Sequence, residues 1–334
     1  MGTAERKVKG IVIAANGDAD VLELSQITPG NPGPGQALIK IKAAGLNYID
    51  IYHRVGRYPL PLPCTPGLEA SGIIEALGES QPGAEIPSDL KVGDRVAYSG
   101  NLGAYAEYSL VKANDLIALP ADLSFEQGAA FPLQGMTAHY LLHEFRDVQA
   151  GDFVLVHAAA GGMGLILAQW LKHLGAIVIG TTSSATKEEM AREAGCHYTI
   201  DYNKKDFVQE VDKLTNGKGC PLVIDGVGKT TFNGSLQAAA KRGTVIIFGA
   251  ASGVAEPIAP NDLQKKSITV CGGSLFNYLD SRAELLQRAN AVLDGIEAGW
   301  LKLHIGAVLP LEQAAEAHRL LESRRSTGKI ILTV

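Results

Sequence analysis

A glycine-rich turn at residues 158–164 contains the residue types and spacing that point most directly to chemistry. Ala159, Gly161 and Gly164 occupy the three small-residue positions of a Gly-x-Gly-x-x-Gly pattern, directly after an apolar run that ends at Val156. Gly161 lets the backbone approach a phosphate, and Gly164 lets a helix pack closely on the preceding strand. The pattern therefore predicts a turn that binds the pyrophosphate of a dinucleotide.

The residues after the turn supply the helix and the strand that such a site needs. Gly162 and Met163 begin the predicted helix, where free amides and the helix dipole favour an anion. Apolar residues then recur at helical spacing up to Leu174, Gly175 ends the helix, and the run 176–179 predicts the next buried strand. Close packing alone also explains small residues between a strand and a helix, but this context favours the dinucleotide site.

The end of that second strand indicates which dinucleotide is bound. A site selective for NAD places Asp or Glu about 20 residues beyond the glycines, whereas here the stretch 180–184 has neither and the first acid is Glu188. The hydroxyls of Thr182 and Ser183 leave room for a 2′-phosphate and can donate to it, and Lys187 adds positive charge. The stretch therefore favours NADPH, with a helix-capping serine and a solvated lysine as the alternative interpretation.

Length and composition exclude several classes of protein. The chain has 334 residues, 46% of them hydrophobic, and a net charge of −5 from 30 basic and 35 acidic residues. These values favour two domains with large cores and argue against nucleic acid as the primary partner. The four cysteines show no Cys-x-x-Cys spacing, which argues against a disulfide framework and a structural zinc site and fits a reducing, cytoplasmic compartment. Residues 1–7 lack the apolar core of a secretion signal, and no apolar run is long enough to span a membrane.

The hydrophobic periodicity changes near Pro132 and predicts two kinds of domain. Before it, short alternating strands with Gly and Pro turns are typical of an antiparallel, barrel-like domain. After it, apolar strands alternate with helices, which is typical of a doubly wound parallel sheet. The first set of strands is predicted at 9–14, 36–43, 70–77, 95–98 and 104–110, and the second at 153–157, 177–180, 198–200, 222–225, 245–248 and 268–271. The tail is expected to rejoin the first domain with helices at about 283–298 and 311–324 and a strand at 329–334.

Several segments, in the same order along nearly the whole chain, resemble the medium-chain dehydrogenase/reductase superfamily and, within it, the quinone oxidoreductases of the zeta-crystallin type. They are residues 44–50, 66–72, 92–96, 158–164, 225–228, 248–253 and 322–324. The resemblance implies an α/β chain with a GroES-like antiparallel β-barrel catalytic domain at 1–131 and 275–334 and a Rossmann doubly wound parallel-sheet domain that binds NADPH at 132–274. It also implies an active site in the cleft between the domains and a homodimer.

Two positions separate this chain from the zinc-dependent members of the superfamily that it resembles. Those members carry Cys where Asn47 stands and His where Leu68 stands. A neutral amide and a leucine cannot replace a thiolate and an imidazole as zinc ligands, so we expect no metal. Without such partners, Asp50 and Glu69 are expected to make structural hydrogen bonds or salt bridges.

The resemblance also implies roles for individual residues. Quinone reductases of this type hold the adenosine 2′-phosphate with Lys, Tyr and Arg at the positions that match Lys187, Tyr202 and Arg324. Asn47 and Tyr52 lie in the segment that resembles the nicotinamide and substrate contacts and are the candidate catalytic residues, with packing as the alternative for Tyr52. Further cofactor contacts are expected from Thr137, Gly249, Ala251 and Ser252, with helix packing as the alternative for Thr137.

These observations lead to a functional hypothesis with two alternatives. The chain is expected to transfer electrons from NADPH to a small-molecule quinone, which needs no carbonyl polarised by a metal. Reduction of the carbon–carbon double bond of an enal or enone uses the same cofactor, and the sequence does not separate the two reactions. The third alternative is a structural or RNA-binding protein that binds NADPH without catalysis, against which the acidic composition weighs.

Overall fold

The computed structural model describes residues 6–334, so most of the N-terminal stretch considered above for a secretion signal lies outside the described residues. The chain forms two compact units. The first consists of the chain up to Leu133 together with Ser281–Ala289 and Ile305–Val334, and the second consists of Gln134–Asp280 and Asn290–His304. The domain boundaries expected from the sequence, 131/132 and 274/275, stay predictions.

Strands and helices alternate in different ways in the two units. The strands are β1 (Val8–Val12), β2 (Glu23–Ile27), β3 (Gln36–Leu46), β4 (Glu69–Leu77), β5 (Arg95–Ser99), β6 (Tyr108–Lys112), β7 (Ile117–Ala118), β8 (Phe153–Val156), β9 (Ile177–Thr182), β10 (Tyr198–Asp201), β11 (Cys220–Asp225), β12 (Ala239–Ile247), β13 (Thr269–Gly272), β14 (Ile305–Pro310) and β15 (Lys329–Thr333). The α-helices are α1 (Tyr48–Arg54), α2 (Phe125–Gly128), α3 (Pro132–His143), α4 (Gly162–His173), α5 (Ala185–Ala194), α6 (Phe207–Leu214), α7 (Phe232–Ala238), α8 (Arg282–Glu297) and α9 (Ala314–Glu322).

The first unit is built on a seven-stranded sheet in the order β14-β15-β3-β4-β5-β7, with β6 also paired to β3. β15 pairs antiparallel with the C-terminal half of β3, so residues 329–333 return to the strand that immediately precedes Asn47. Apolar side chains from β3, β4, β5 and α9 form one buried core. This pairing explains how the last strand of the chain comes to lie beside the candidate catalytic segment.

The second unit contains a six-stranded parallel sheet in the order β10-β9-β8-β11-β12-β13. The inner strands β8, β9 and β11 are buried over nearly their whole length, as expected for strands covered by helices on both faces. All six strands predicted for this part of the chain are present, with ends shifted by a few residues. The doubly wound parallel sheet is confirmed, and it brings the carboxyl ends of β8, β9, β11 and β12 to one edge.

The strands predicted for the first unit differ from the observed ones in several details. The strand predicted at 104–110 begins only at Tyr108, because residues 104 and 105 donate their amides to Gly67 and Pro66 instead of to a neighbouring strand. β2, β7 and β14 were not predicted. In β14, half of the residues are exposed and Gly306 interrupts the apolar alternation. No helix among residues 6–334 is both long and apolar enough to cross a bilayer.

Candidate active site

The glycine turn joins β8 to α4 through a left-handed residue. Ala158 has φ 53°, and its carbonyl oxygen accepts a hydrogen bond from the amide of Gly161 at 2.9 Å. A methyl group on Gly164 would lie 2.4 Å from that oxygen and 2.5 Å from Cα of Ala159, so only glycine fits there. A methyl group on Gly161 would meet the same oxygen at 3.2 Å. Gly164 therefore sets the distance between helix and strand.

The N-terminus of α4 offers amides to a ligand. Gly161 is the N-cap residue and makes no side-chain capping bond, so the first-turn amides of Gly162, Met163 and Gly164 have no cap of this kind. Free first-turn amides and the positive end of the helix dipole favour an anion. A turn with this geometry can bind a phosphate.

The ends of β9 and β10 bring together three predicted cofactor residues, namely Thr182, Ser183 and Tyr202. The amide of Tyr202 donates to the carbonyl oxygen of Thr182 at 3.1 Å, and the side chain of Asn203 donates to the carbonyl of Ser183 at 2.9 Å. Oγ1 of Thr182 is buried and has no hydrogen-bond partner. A buried hydroxyl of this kind is costly unless a ligand or water supplies the missing partner.

The charges around this edge suit an added anion. Burial lowers the pKa of Lys187, so its ammonium group is partly desolvated and gains from an anionic partner. The nearest acid along β10, Asp201, forms an ion pair with Lys204 at 2.8 Å. Ser184 caps α5 by accepting a hydrogen bond from the amide of Lys187 at 3.4 Å. The helix-capping interpretation of the sequence therefore applies to this serine. Arg324, with φ 57°, lies in the first unit, two residues after the end of α9.

The other predicted cofactor residues of the second unit lie in a loop and a helix. The amide of Ala251 donates to the carbonyl of Gly226 at 3.2 Å, and a methyl group on Gly249 would lie 2.7 Å from the same oxygen. The hydroxyl of Ser252 donates to the carbonyl of Val227 at 2.8 Å and is therefore already engaged. Thr137 is only 7% exposed, in α3.

In the first unit, Asn47 belongs to a closed network of buried polar groups. Its Oδ1 accepts from Nζ of Lys329 at 2.7 Å, and its Nδ2 donates to Glu69 Oε2 at 2.8 Å and to the carbonyl of Gly45 at 3.2 Å. Lys329 and Glu69 complete the network by pairing directly at 2.5 Å. Both amide hydrogens of Asn47 are thus already bonded within the protein, which limits its capacity to donate to a substrate.

A second buried network extends from Asp50, the third residue of α1. Oδ2 of Asp50 accepts from the amide of Asn47 at 2.9 Å and from the phenol of Tyr105 at 3.1 Å, whereas Oδ1 is buried without a partner. Burial raises the pKa of Asp50 to about 7. The ring of His318 links Tyr105 to Arg54, since its Nε2 lies 3.3 Å from the phenol and its Nδ1 3.1 Å from Nη1. As expected, Asp50 makes structural hydrogen bonds and Glu69 makes a salt bridge.

Tyr52 lies near the end of α1 among cationic and aromatic groups. The guanidinium of Arg57 stacks over its ring at 4.6 Å, and the ring of Tyr58 meets it edge-on at 5.4 Å between centroids. Tyr52 is 8% exposed, while Tyr58 is 47% exposed. These contacts fix the orientation of the Tyr52 ring.

The two positions that differ from the zinc enzymes are filled in ways that do not suit a metal. Leu68 is buried at 5% exposure, and the neighbour of Asn47 is the ammonium group of Lys329. Within the described part of the chain, no group of three or more His, Cys, Asp and Glu side chains is placed to hold a metal ion. The side chain of Asn47 contacts one carboxylate and one ammonium group, which is unlike a zinc site.

Sequence reasoning missed Lys329, although it was detectable. It is a lone cation at the start of a strongly apolar final strand, Lys-Ile-Ile-Leu-Thr-Val. A lysine buried in a strand needs a carboxylate partner. Which carboxylate it contacts depends on the pairing of β15 with β3, and this pairing joins residues far apart in the chain.

Comparison with known proteins agrees with this architecture. Residues 33–121 match the family described as alcohol dehydrogenase GroES-like domain, and residues 162–291 match the family described as zinc-binding dehydrogenase. A quinone oxidoreductase of Pseudomonas aeruginosa is 42% identical over 97% of this chain and 99% of its own length. A 2-haloacrylate reductase of a Burkholderia species is 40% identical over 97% of this chain and 98% of its own.

A solved structure gives the same result in three dimensions. The crystal structure of the quinone oxidoreductase of Escherichia coli complexed with NADPH superposes with a TM-score of 0.91 at 36% identity, covering 98% of this chain and 99% of that one. The similarity in sequence and in structure extends over nearly the full length of each protein. The chain therefore belongs to the medium-chain dehydrogenase/reductase superfamily and, within it, to the quinone oxidoreductases.

Proposed function

We propose that the chain is a zinc-independent reductase that transfers electrons from NADPH to a quinone. The network of Asn47, Glu69 and Lys329 carries this proposal, because it replaces a metal-binding donor set with an internal ion pair. A Zn²⁺ ion would be repelled by the ammonium group and would lack the thiolate and imidazole ligands it prefers. A quinone accepts electrons without such a Lewis acid, so this donor set favours a quinone over an alcohol or a simple ketone.

The residues of the second unit fit NADPH. The amides of Gly162–Gly164 suit the pyrophosphate, and the partly desolvated ammonium group of Lys187 suits the adenosine 2′-phosphate. The Escherichia coli relative was solved with NADPH, which supports the same cofactor here. When bound, NADPH supplies the electrons for the reduction. The remaining residues proposed to hold it are Ala159, Gly161, Thr137, Thr182, Ser183, Tyr202, Gly249, Ala251, Ser252 and Arg324.

Asn47 and Tyr52 take different roles in this proposal. Tyr52 orients the quinone, since its ring is held by Arg57 and Tyr58 and its phenol can donate to a reduced oxygen. Asn47 acts as a positioning residue, because its side chain is bonded to Lys329 and Glu69 and its amide fixes Asp50 at the start of α1. The proton taken up by the reduced quinone comes from water, with no essential general acid from the protein.

Reduction of a carbon–carbon double bond is the second candidate, favoured by one specific observation. A relative named 2-haloacrylate reductase is 40% identical to this chain, at nearly the same level as the quinone oxidoreductase. Haloacrylates are small and anionic, whereas quinones are planar and neutral. A panel of substrates can therefore separate the two activities.

The experiment is to follow NADPH oxidation with ortho-quinones, para-quinones, enals, enones and 2-chloroacrylate. We expect the highest kcat/KM for a quinone. A higher value for 2-chloroacrylate or an enal would replace the proposal by double-bond reduction, and no turnover with any of them would leave a protein that binds NADPH without catalysis. We also propose a cytoplasmic homodimer; light scattering of the purified protein tests the dimer, and fractionation of the source cells tests the compartment.

A further inference from the structure

In the interior of the second unit, four polar side chains meet, one from the residue that follows β8 and one each from β9, β11 and α7. They are His157, Thr181, Asp225 and Ser235, which are 5%, 1%, 0% and 0% exposed. Nδ1 of His157 lies 3.1 Å from Thr181 Oγ1, and its Nε2 lies 3.0 Å from Ser235 Oγ. The proposed chemistry uses none of these side chains directly.

The direction of each hydrogen bond follows from the donors available. The carboxylate of Asp225 can only accept, so the hydroxyl of Ser235 donates to its Oδ2 at 2.7 Å. Ser235 Oγ must then accept from His157, which places the ring hydrogen on Nε2. Nδ1 of His157 is left as an acceptor for the hydroxyl of Thr181, and Thr181 Oγ1 in turn accepts from the amide of Ala158 at 3.2 Å. The bonds therefore form a one-way chain from Ala158 to Asp225.

At its first end, this series of hydrogen bonds fixes the backbone of the glycine turn. Ala158 has φ 53°, a conformation that residues with a side chain seldom adopt, and the bond to Thr181 fixes its amide in that conformation. The carbonyl of Ala158 is the oxygen that Gly161 and Gly164 pack against. A shift of Ala158 would thus move the amides of the turn away from a phosphate.

At its second end, Asp225 fixes the loop after β11. Oδ1 of Asp225 accepts from the amides of Val227 and Gly228 at 2.9 and 3.0 Å and from the hydroxyl of Thr231 at 2.8 Å. Ser252, a proposed cofactor residue, joins this loop because its hydroxyl donates to the carbonyl of Val227. Asp225 therefore orders the loop that accepts hydrogen bonds from Ala251 and Ser252, two of the proposed cofactor residues.

We propose that His157 is a positioning residue of the dinucleotide site. Its ring couples the glycine turn at 158–164 to the loop at 226–231, because Nδ1 accepts one hydrogen bond and Nε2 donates another. The inference rests on the proposed binding of NADPH. Burial lowers the pKa of His157, which keeps the ring neutral and preserves an acceptor on one nitrogen and a donor on the other. A residue that only fills space would not need both.

The experiment measures the dissociation constant of NADPH in a double-mutant cycle. Thr181→Val and Ser235→Ala each remove one hydrogen bond of the series, on opposite sides of His157, and change the side-chain volume little. We expect each to weaken NADPH binding by about 5- to 10-fold, as loss of one buried hydrogen bond predicts. The double variant should be about as weak as the weaker single variant, because a chain that is already interrupted loses little more.

Thr215→Val is the matched control. Thr215 is 2% exposed, and its hydroxyl donates to the carbonyl of Val211 at 2.7 Å and accepts from the amide of Gly219 at 2.9 Å, away from the carboxyl ends of the strands. We expect it to lower the melting temperature but to change the NADPH dissociation constant by less than about 2-fold. This control separates loss of stability from loss of positioning.

Two outcomes would overturn the inference. In one, the Thr181 and Ser235 variants melt earlier but bind NADPH as tightly as the wild type, so that His157 is only structural. In the other, the two fold-changes multiply in the double variant, so that the sites act independently. If the wild type itself does not bind NADPH, the proposed function fails first, and the two failures are thus distinguishable.

Discussion

Lys329 and Glu69 form an ion pair in the interior of the first unit, with Nζ 2.5 Å from Oε2 and side-chain exposures of 3% and 0%. Glu69 is also held by the amide of Leu133, which donates to its Oε1 at 2.7 Å. The pair is therefore bonded on both carboxylate oxygens, as a charge removed from water must be. It places a cation supplied by the chain beside Asn47, the position at which the zinc enzymes carry a ligand.

We predict that Lys329→Met strongly destabilises the protein. The substitution removes the cation and leaves the carboxylate of Glu69 buried without its charge partner, which costs about 3–5 kcal/mol. Urea unfolding followed by circular dichroism gives this loss in the free energy of unfolding. Adding Glu69→Gln to Lys329→Met should recover part of the loss, because the uncompensated charge is then gone.

An exposed ion pair is the control for this prediction. Lys213 pairs with Glu210 at 2.8 Å, but its side chain is 67% exposed. Lys213→Met should therefore change the free energy of unfolding by less than about 1 kcal/mol. Equal losses for Lys329→Met and Lys213→Met would mean that the buried pair contributes no more than a surface pair.

We predict that activity needs no zinc. Elemental analysis of the purified protein should find zinc far below one ion per chain, and incubation with a chelator should leave NADPH oxidation unchanged. The physical reason is the donor set, since Asn47 and Leu68 cannot replace a thiolate and an imidazole. Stoichiometric zinc, together with activity that is lost to a chelator and restored by the metal, would contradict the prediction.

The features that could be predicted from the sequence are those with a local pattern. The inner strands β8, β9 and β11 of the parallel sheet were detectable because buried parallel strands are continuous apolar runs. The glycine turn was detectable because close approach of Gly164 to Ala158 demands a residue without a side chain. In both cases the physical cause acts within a few residues of the pattern.

The contacts that could not be predicted join distant parts of the chain. Lys329 lies 282 residues from Asn47 and 260 from Glu69, and only the pairing of β15 with β3 brings them together. The sequence also made Asn47 a candidate catalytic residue, whereas the structure commits both hydrogens of its side-chain amide to Gly45 and Glu69. Local patterns carry no information on which buried group will satisfy another.

The buried carboxyl of Asp50 predicts a dependence of stability on pH. Its pKa is raised by burial from 3.8 to about 7 in the folded protein. Between these values the folded state binds more protons than the unfolded state, so the contribution of Asp50 to stability is lost as the pH rises from about 4 through 7. Asp50→Asn cannot ionise and should not show this loss.

The measurement is the free energy of unfolding of the wild type and of Asp50→Asn at several pH values. We expect the free energy of unfolding of Asp50→Asn to rise relative to that of the wild type by on the order of 3–4 kcal/mol between pH 4 and pH 8. Groups shared by both proteins cancel in this difference, including His318, whose pKa is lowered to about 3 by burial and by Arg54. A difference that does not change with pH would show that Asp50 titrates alike in the folded and unfolded chains.

We predict that the protein binds NADPH about 100-fold more tightly than NADH, as two partly exposed charge-assisted contacts to a phosphate would give. Lys187→Ala should weaken NADPH binding and leave NADH binding nearly unchanged. Lys218→Ala is the control, because Lys218 is exposed and precedes β11 at the opposite end of the strands. Calorimetry gives the dissociation constants, and equal values for NADPH and NADH in the wild type would refute the prediction.

The last prediction concerns the phenol of Tyr52. If it orients the quinone, Tyr52→Phe removes one hydrogen bond in an enclosed site. We then expect kcat/KM for the quinone to fall by about 5- to 150-fold, which corresponds to about 1–3 kcal/mol of transition-state stabilisation. The NADPH dissociation constant should stay within about 2-fold of the wild type, since the proposed cofactor contacts do not include this hydroxyl.

Tyr48→Phe on the same helix is the matched control for Tyr52→Phe. The hydroxyl of Tyr48 donates to the carbonyl of Leu321 at 3.3 Å, so its loss should lower the melting temperature slightly and leave the kinetics unchanged. Asn47→Ala should lower the melting temperature more, because it leaves Lys329 and Glu69 short of a partner. Full activity in Tyr52→Phe would show that the phenol makes no contact in the transition state. Shape and cofactor placement would then be the whole contribution of the protein, because we propose that water supplies the proton.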